Sequence, residues 1–343
     1  ATEFSIYRVI AGVAMGGSFP NVIALASDYA PQPIRAFFIA SPASTGMCIG
    51  GMASALIGIW LLPEYGWRSV FYVGVLPLVI VPFLMLHLPE APINYIKRNR
   101  IAKLREILVR IRPDHTFPAD ATFEVTQQSL EKAPLIAVFQ KNRAVSTIGI
   151  WAVYFMVTYM IYGLSFWMPK LMMNAGYPLK SALWFWFSVN AFGIVGIQLA
   201  GWFADRFSPK KVMYVVLLLA FVSITLLGVK SNFWIAILLA GLAGSSFQAA
   251  ISVWNGYCAN YYPPTMRSTG VGYAMCVARF GSILGPALSG LLMTMNVSAM
   301  SSFLGLSLPG LIGFFCLFLV NEKYSFTYGA KELANRPASN HNI

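Results

Sequence analysis

The chain has 343 residues, of which 57% are hydrophobic and only 10% are charged, and its formal net charge at pH 7 is +12. A soluble domain carries about 25% charged residues, so this composition excludes a soluble globular protein. The four cysteines lie within apolar segments and the sequence carries no metal-binding or nucleophile–base motif, so we predict no metal, no cofactor and no enzyme activity. The basic residues follow the predicted membrane boundaries, and we therefore expect no nucleic-acid partner.

Apolar segments long enough to cross a bilayer run through the chain from its first residues. A spanning helix needs about 20 apolar residues, and backbone polar groups cannot stay unpaired in lipid, so each segment is predicted to be a helix. The sequence thus predicts an all-α polytopic membrane protein. We place nine helices within residues 3–27, 36–63, 69–89, 144–169, 181–204, 212–229 and 231–258, with two more in 268–321.

A polar stretch, residues 90–142, separates three predicted helices from six. Isoleucine and leucine recur there at helical spacing among seven basic residues, which predicts an amphipathic helix. We favour a linker helix with a solvated basic face over a helix lying on the inner membrane surface. With this stretch in the cytoplasm, 18 of the 24 Lys and Arg residues are cytoplasmic. The positive-inside rule then predicts that the middle loop and the tail, residues 323–343, are cytoplasmic.

Similar segments on the two sides of this stretch indicate an internal repeat. The Y-x-P-x-x-x-R pattern of Tyr29 to Arg35 recurs 232 residues later, from Tyr261 to Arg267. Duplicated halves are a common construction of secondary transporters. Since the second half would have six helices, we expect three helices to precede Ala1. The predicted domains are the rest of an N-terminal half (1–89), the middle loop (90–142), a six-helix C-terminal half (143–322) and the tail.

Two motifs resemble those of a known superfamily. The segment Gly201-Trp-Phe-Ala-Asp205-Arg206-Phe-Ser-Pro-Lys210-Lys211 lies between two predicted helices and resembles the G-x-x-x-D-R-x-x-x-[KR]-[KR] signature of the major facilitator superfamily. Arg8, followed by Gly12, Gly16 and Pro20 at four-residue intervals, looks like the fourth-helix motif of that superfamily. The resemblance implies the major facilitator fold of two six-helix halves. It also implies a gating role at the inner face for Gly201, Asp205, Arg206, Lys210 and Lys211.

Longer segments, among them GSFPNVIALASDYAP and TMRSTGVGYAMCVARFGSILGP, resemble the aromatic acid:proton symporter family. That resemblance implies a multi-pass monomer of the inner membrane, embedded in the lipid bilayer, that takes up a small aromatic acid anion together with a proton. The substrate would be of the benzoate or hydroxybenzoate type. A carrier for another organic acid, such as a muconate-like dicarboxylate, and a drug exporter are the alternatives within transport. Outside transport, the alternative is a membrane sensor that binds its ligand without moving it.

Arg279 interrupts an otherwise apolar helix. It follows Arg267 by twelve residues, or about 18 Å at 1.5 Å per residue, which is close to the centre of a hydrocarbon core about 30 Å thick. A central arginine costs on the order of 3 kcal/mol, so it must face a cavity or a partner. Because a guanidinium binds a carboxylate through two parallel hydrogen bonds, we predict that Arg279 binds the substrate. Coupling, gating and a purely structural role are the alternatives.

Arg8 is the second arginine inside a predicted helix, some seven residues from its start. In the family that the chain resembles, this arginine works with acidic residues of the first helix, which implies a role in proton coupling. The sequence places no carboxylate deep in the membrane, so we expect the partner of Arg8 to precede Ala1.

Aromatic and amide side chains on neighbouring helices complete the predicted site. Aromatic faces with a few amides suit a flat, anionic ring compound, although aromatic residues of membrane helices often serve only packing. These candidates are Trp151, Tyr154, Tyr159, Asn190, Gln248, Trp254 and Asn255.

Overall fold

The computed structural model describes residues 2–29, 35–87, 95–96, 100–111, 134–140, 142–263, 265–295 and 297–326, and every regular element within these ranges is a helix. The chain divides into two compact units. One unit comprises residues 1–43 and 71–130, and the other comprises residues 44–70 and 131–343. The candidate substrate-binding residues belong to the second unit.

The first unit contains helices of the predicted N-terminal half and one helix of the middle loop. They are α1 (Thr2–Tyr29), the first part of α2 (Arg35–Tyr65), the end of α3 (Trp67–Val73), α4 (Leu76–His87) and α5 (Ile101–Ile111). Helix α5 lies in the stretch for which an amphipathic helix was expected, and it is amphipathic, since Leu104 is buried while Lys103 is exposed. The second part of α2 belongs to the second unit.

The second unit contains six long helices. They are α6 (Ala144–Asn174), α7 (Leu179–Arg206), α8 (Pro209–Leu227), α9 (Phe233–Tyr261), α10 (Arg267–Thr294) and α11 (Ala299–Leu319). Two helix pairs are the most extensively packed, α7 with α9 and α6 with α10. Helix α8 packs on α9, and α11 packs on both α6 and α8.

Local chemistry fixes the ends of these helices. Helix α6 ends just before Gly176, whose φ of +89° is the left-handed conformation that follows many helices. Pro209 begins α8, where its missing N–H removes no intrahelical bond. The side chain of Asn232 accepts a bond from Trp234 N at the start of α9, and that of Ser298 accepts one from Ser301 N at the start of α11.

Among the described residues, seven stretches are long and apolar enough to cross a membrane. Six of them are α6 to α11, which coincide with the six helices predicted after the middle loop. The seventh runs from Ser44 to Phe83, across the second and third predicted helices. The chain bends within this stretch at Gly66, whose φ is +71°. The nine predicted spans and the arrangement in two halves are therefore not confirmed, whereas the all-helical membrane architecture is.

Small residues allow the helices of the second unit to approach closely. A Cβ atom on Gly244 of α9 would collide with the backbone of Val189 on α7, and one on Gly196 of α7 would meet the backbone of Ser245. On the other pair, a Cβ atom on Gly281 or Gly285 of α10 would collide with backbone carbonyls of α6. Without a hydrophobic driving force in lipid, such close packing is a main source of helix association.

Candidate functional site

Arg279 lies near the middle of α10, and its side chain is exposed. The residues that pack on α6 are its neighbours Ala278 and Gly281, both of which are buried. Because each residue of a helix is rotated by about 100° from the one before, the side chain of Arg279 leaves α10 beside this packed face. The predicted substrate-binding arginine thus lies on a helix that packs against α6 along one side, while Arg279 itself stays exposed.

An aromatic stack lies on the same helix, towards the end that carries Arg267. The rings of Trp151 on α6 and Tyr273 on α10 are stacked, with centroids 6.2 Å apart and an interplanar angle of 23°. Phe139 contacts the edge of Trp151 at 5.4 Å. Tyr273 lines an open cavity of about 520 Å³ together with Ser268, Thr269, Gly272, Cys276, Pro134 and Leu135.

The sequence reasoning had not singled out Tyr273. The pattern that could have identified it is the three-residue spacing of Tyr273, Cys276 and Arg279, which makes each residue a neighbour of the next on the helix surface. All three are exposed. This face of α10 therefore carries an aromatic ring and a cation that are both accessible.

Tyr154 and Trp254, two predicted site residues, join α6 to α9. Tyr154 Oη donates to Asn255 Oδ1 at 2.8 Å, and Trp254 Nε1 donates to the carbonyl of Ile150 at 3.1 Å. Tyr154 and Trp254 are 1% and 0% exposed, whereas Asn255 is half-buried. In this conformation the two rings are enclosed and position α9, and Asn255 is the member of the group that a ligand could reach.

Tyr159 is buried on α6, where its ring lies 6.5 Å from that of Phe155. Its carbonyl oxygen faces Gly285 of α10 so closely that a Cβ atom there would collide with it. The position of Tyr159 thus belongs to the α6–α10 contact.

Asn190 and Gln248 form a separate group around α2. Asn190 Nδ2 donates to the carbonyl of Trp186 at 2.8 Å, and its amide occupies the space that a Cβ atom on Gly51 would need. Gln248 Nε2 donates to Cys48 Sγ at 3.1 Å. Both amides lie where α7 and α9 meet α2, and Gln248 remains partly exposed.

The predicted gating motif, residues 201–211, lies at the junction of α7 and α8. The guanidinium of Arg206 lies 5.5 Å from the ring of Trp202, and Lys210 Nζ donates to the carbonyl of Val320. Ser208 Oγ donates to Glu322 Oε1 at 3.3 Å. The motif is therefore bonded to the segment that follows α11.

A cavity of about 280 Å³ lies beside this motif, lined by Asp205, Ser208, Tyr257, Asn260, Glu322 and neighbouring residues. Glu322 had not been singled out from the sequence, although it stands directly after the last predicted helix. Gly201 is half-buried in α7, and Lys211 is exposed at the start of α8.

Arg8 lies on α1 in the first unit. Its guanidinium is 5.0 Å from the ring of Phe4, a cation–π contact, and its side chain is exposed. The role of Arg8 in proton coupling stays a prediction.

Comparison with known proteins identifies the family of the chain. The profile of the Major Facilitator Superfamily matches residues 1–199 and 187–340, which together span nearly the whole chain. A crystal structure of a bacterial homologue of the human lysosomal transporter Spinster, in an inward-facing and occupied conformation, aligns with a TM-score of 0.53. The alignment covers 93% of this chain and 75% of that protein at 16% identity, so it supports the fold alone.

Curated relatives are transporters of aromatic acids. The benzoate transport protein of Acinetobacter baylyi is 39% identical over 94% of this chain and 69% of its own length. The gallate transporter of Pseudomonas putida is 29% identical over 90% of the chain and 69% of its own length. The 4-hydroxybenzoate transporter PcaK of Pseudomonas aeruginosa is 32% identical over 81% of the chain and 63% of its own length.

The chain thus spans about two thirds of the length of these relatives. The resemblance inferred from the sequence motifs is confirmed, and so is the exclusion of an enzyme, since the family and the relatives are transporters. The chain belongs to the Major Facilitator Superfamily, and within it to the group of aromatic acid transporters.

Proposed function

We propose that the protein carries a small aromatic carboxylate, of the benzoate or hydroxybenzoate type, into the cell together with a proton. The observation that carries the proposal is the exposed side of α10, which Arg279 and the stacked ring of Tyr273 flank about 120° apart around the helix axis. Six residues separate them, or about 9 Å along the helix axis. The similarity to a benzoate transport protein supports the same substrate class.

Each group on this face has a chemical counterpart in the substrate. The guanidinium of Arg279 binds the carboxylate through two parallel hydrogen bonds, which are charge-assisted and stronger than neutral ones. The rings of Trp151 and Tyr273 pack against the aromatic ring of the substrate. The amide of Asn255, partly exposed and held by Tyr154, is available to a ring hydroxyl. Tyr154, Trp254 and Tyr159 position the helices, whereas Asn190 and Gln248 form a separate group at α2 and their role in substrate binding stays a prediction.

Proton coupling in this proposal depends on Arg8 and an acidic partner on another helix. The predicted gating motif bonds the junction of α7 and α8 to the segment after α11, and in this proposal the junction faces the cytoplasm. Transport would proceed by rocking of two halves about a site near the midplane. The middle loop and the C-terminal tail would face the cytoplasm, and the carrier would act as a monomer in the inner membrane.

The test is uptake of labelled benzoate by the complete protein in proteoliposomes with an inwardly directed proton gradient. We expect saturable uptake that collapses when an uncoupler dissipates the gradient. Arg279→Ala should reduce kcat/KM by about 10- to 100-fold, because a hydrogen bond to a charged group contributes about 1.5–3 kcal/mol. Lys180→Ala, which removes an exposed cation at the start of α7, is the matched control and should transport normally.

The alternatives give different results in the same experiment. Benzoate binding without flux would indicate a membrane sensor, and uptake that persists after addition of an uncoupler would refute proton coupling. Uptake of muconate in preference to benzoate would assign another organic acid. Unchanged uptake by Arg279→Ala would remove Arg279 from the site.

A further inference from the structure

The contact between α6 and α10 is tightest just beside Arg279. A Cβ atom on Gly281 would collide with the carbonyl oxygen of Phe155, and one on Gly285 would collide with that of Tyr159. The two glycines are one helical turn apart, so they form a strip that seats α10 directly on the backbone of α6. A side chain at either position would push the helices apart and shift Arg279 with them.

The hydroxyl of Thr158 and the indole N–H of Trp167 both donate to carbonyls of α10 across this contact. Thr158 Oγ1 lies 2.8 Å from the carbonyl oxygen of Ala278 on α10, and 2.9 Å and 3.1 Å from the carbonyl oxygens of Tyr154 and Phe155 on its own helix. A threonine hydroxyl has one proton to donate, and the contact across the helices is the shortest of the three. Thr158 is 7% exposed, so water does not compete for that proton.

The carbonyl that Thr158 contacts belongs to the residue directly before Arg279. The carbonyl of Arg279 itself accepts a bond from Ser282 Oγ at 2.7 Å. Farther along, Pro286 has no N–H, so the carbonyl of Ser282 lacks its usual intrahelical donor and the helix is weaker there. The contact with Thr158 thus holds α10 to α6 at the residue directly before Arg279, and Trp167 Nε1 bonds the carbonyl of Pro286 farther along the helix.

We propose that Thr158 is a positioning residue for substrate binding. Its hydroxyl bonds the carbonyl of Ala278 and thereby holds Arg279 in the orientation that meets the carboxylate. The inference rests on the proposed function, since it assigns Arg279 to the substrate. Thr158 does not touch the substrate; it acts through the backbone of α10.

The experiment compares Thr158→Val, which keeps the shape of the side chain and removes its hydroxyl, with Thr158→Ser, which keeps the hydroxyl. In the complete protein, Thr158→Val should raise the KM for benzoate by about 3- to 10-fold, as expected for loss of one interhelical hydrogen bond. Its maximal rate per folded carrier should stay within about twofold. Thr158→Ser should return KM close to that of the wild type.

Ser289→Ala is the matched control. Ser289 is buried on the same face of α10, and its Oγ bonds only the carbonyl of Gly285 within the helix, at 2.7 Å. Removing this hydroxyl should leave KM unchanged. If Thr158→Val does not accumulate in the membrane, Thr158→Ala removes the same hydroxyl with less bulk and should give the same increase in KM.

A double-mutant cycle separates positioning from general destabilisation. With Arg279→Lys as background, Thr158→Val should add little to KM, because the two residues act on one contact. An unchanged KM in Thr158→Val, a failure of Thr158→Ser to restore it, or full additivity with Arg279→Lys would overturn the proposal. These results would leave benzoate uptake by the wild type intact, whereas absence of uptake by the wild type would refute the proposed function itself.

Discussion

The α6–α10 and α7–α9 pairs are assembled in the same way but differ in what they expose. In each pair, glycines seat one helix on the backbone of the other, and one buried hydroxyl donates to a carbonyl across the contact. Thr158 bonds the carbonyl of Ala278 at 2.8 Å, and Ser188 bonds that of Ile237, also at 2.8 Å. The difference lies in the second helix of each pair, since 50% of an apolar 18-residue stretch of α9 is buried, against only 22% of the corresponding stretch of α10.

This difference separates structural support from substrate contact. Helix α9 is enclosed on several sides, so its aromatic residues mainly hold neighbouring helices together. Helix α10 is seated along one narrow strip and leaves Tyr273, Cys276 and Arg279 accessible. Loss of the hydroxyl that crosses the α7–α9 contact should therefore reduce stability alone, whereas loss of the Thr158 hydroxyl in the α6–α10 contact should alter substrate affinity.

The largest effect is expected for glycines that seat a helix on a backbone. Gly244→Val on α9 and Gly281→Val on α10 would each drive a branched side chain into the backbone of the facing helix. We expect each to cost about 3 kcal/mol or more, above the usual range for overpacking because the backbone cannot yield. Most of the folded protein should be lost, as measured by size-exclusion chromatography in detergent.

The same two helices provide the controls for this prediction. Gly256 on α9 and Gly272 on α10 have open space around a built Cβ atom. Gly256→Ala and Gly272→Ala should fold normally. If Gly244→Val also folded normally, the close contact of α7 with α9 would be refuted.

A smaller loss of stability is expected from Tyr154→Phe. This change removes the bond to Asn255 and leaves the amide without its buried partner, at a cost of about 1–2 kcal/mol. Thermal unfolding in detergent should show a lower Tm. Tyr162→Phe, on the same helix, is the control with an identical chemical change at a half-buried tyrosine, and it should leave Tm within about a degree.

Substitution of Tyr273 tests whether the exposed side of α10 contributes to substrate affinity. Tyr273→Leu removes the ring that stacks on Trp151, and an aromatic contact is worth about 0.5–1.5 kcal/mol beyond its buried area. The KM for benzoate should rise roughly 2- to 10-fold, and Tyr273→Phe should raise it less than Tyr273→Leu does. Equal KM values for Tyr273→Leu and the wild type in uptake assays would exclude this ring from the site.

Ser188→Ala should have the smallest effect. Its hydroxyl makes the same type of interhelical bond as that of Thr158, and such bonds contribute about 0.6 kcal/mol on average in a membrane. We expect a small decrease in Tm with no change in the KM for benzoate. An increase in KM as large as that of Thr158→Val would show that the two helix pairs do not differ in function.

The sequence was sufficient for the features that depend on charge and length. Arg279 was identified because an arginine deep in an apolar segment is costly, and the six helices of the second unit were located by their length. The motif from Gly201 to Lys211 was recognisable as the junction between two of these helices.

The sequence was insufficient for the contacts that depend on which side of a helix is buried. Helices of this unit are apolar on all sides, so hydrophobic periodicity does not identify the packed face. For this reason the enclosure of Tyr154 and Trp254 and the accessibility of Tyr273 could not be predicted. The interhelical bond of Thr158 could not be predicted because a threonine in an apolar helix commonly bonds only the backbone of its own helix.

The central claim is that Arg279, held by the α6–α10 contact, binds the carboxylate of an aromatic acid. The most direct test is equilibrium binding of benzoate and of benzamide, its uncharged analogue, to the purified complete protein. If Arg279 binds the carboxylate, the wild type should prefer benzoate by more than about tenfold, as expected for a charge-assisted pair. Arg279→Ala should lose this preference while still folding. A preference for benzoate that persists in Arg279→Ala would show that Arg279 does not bind the carboxylate.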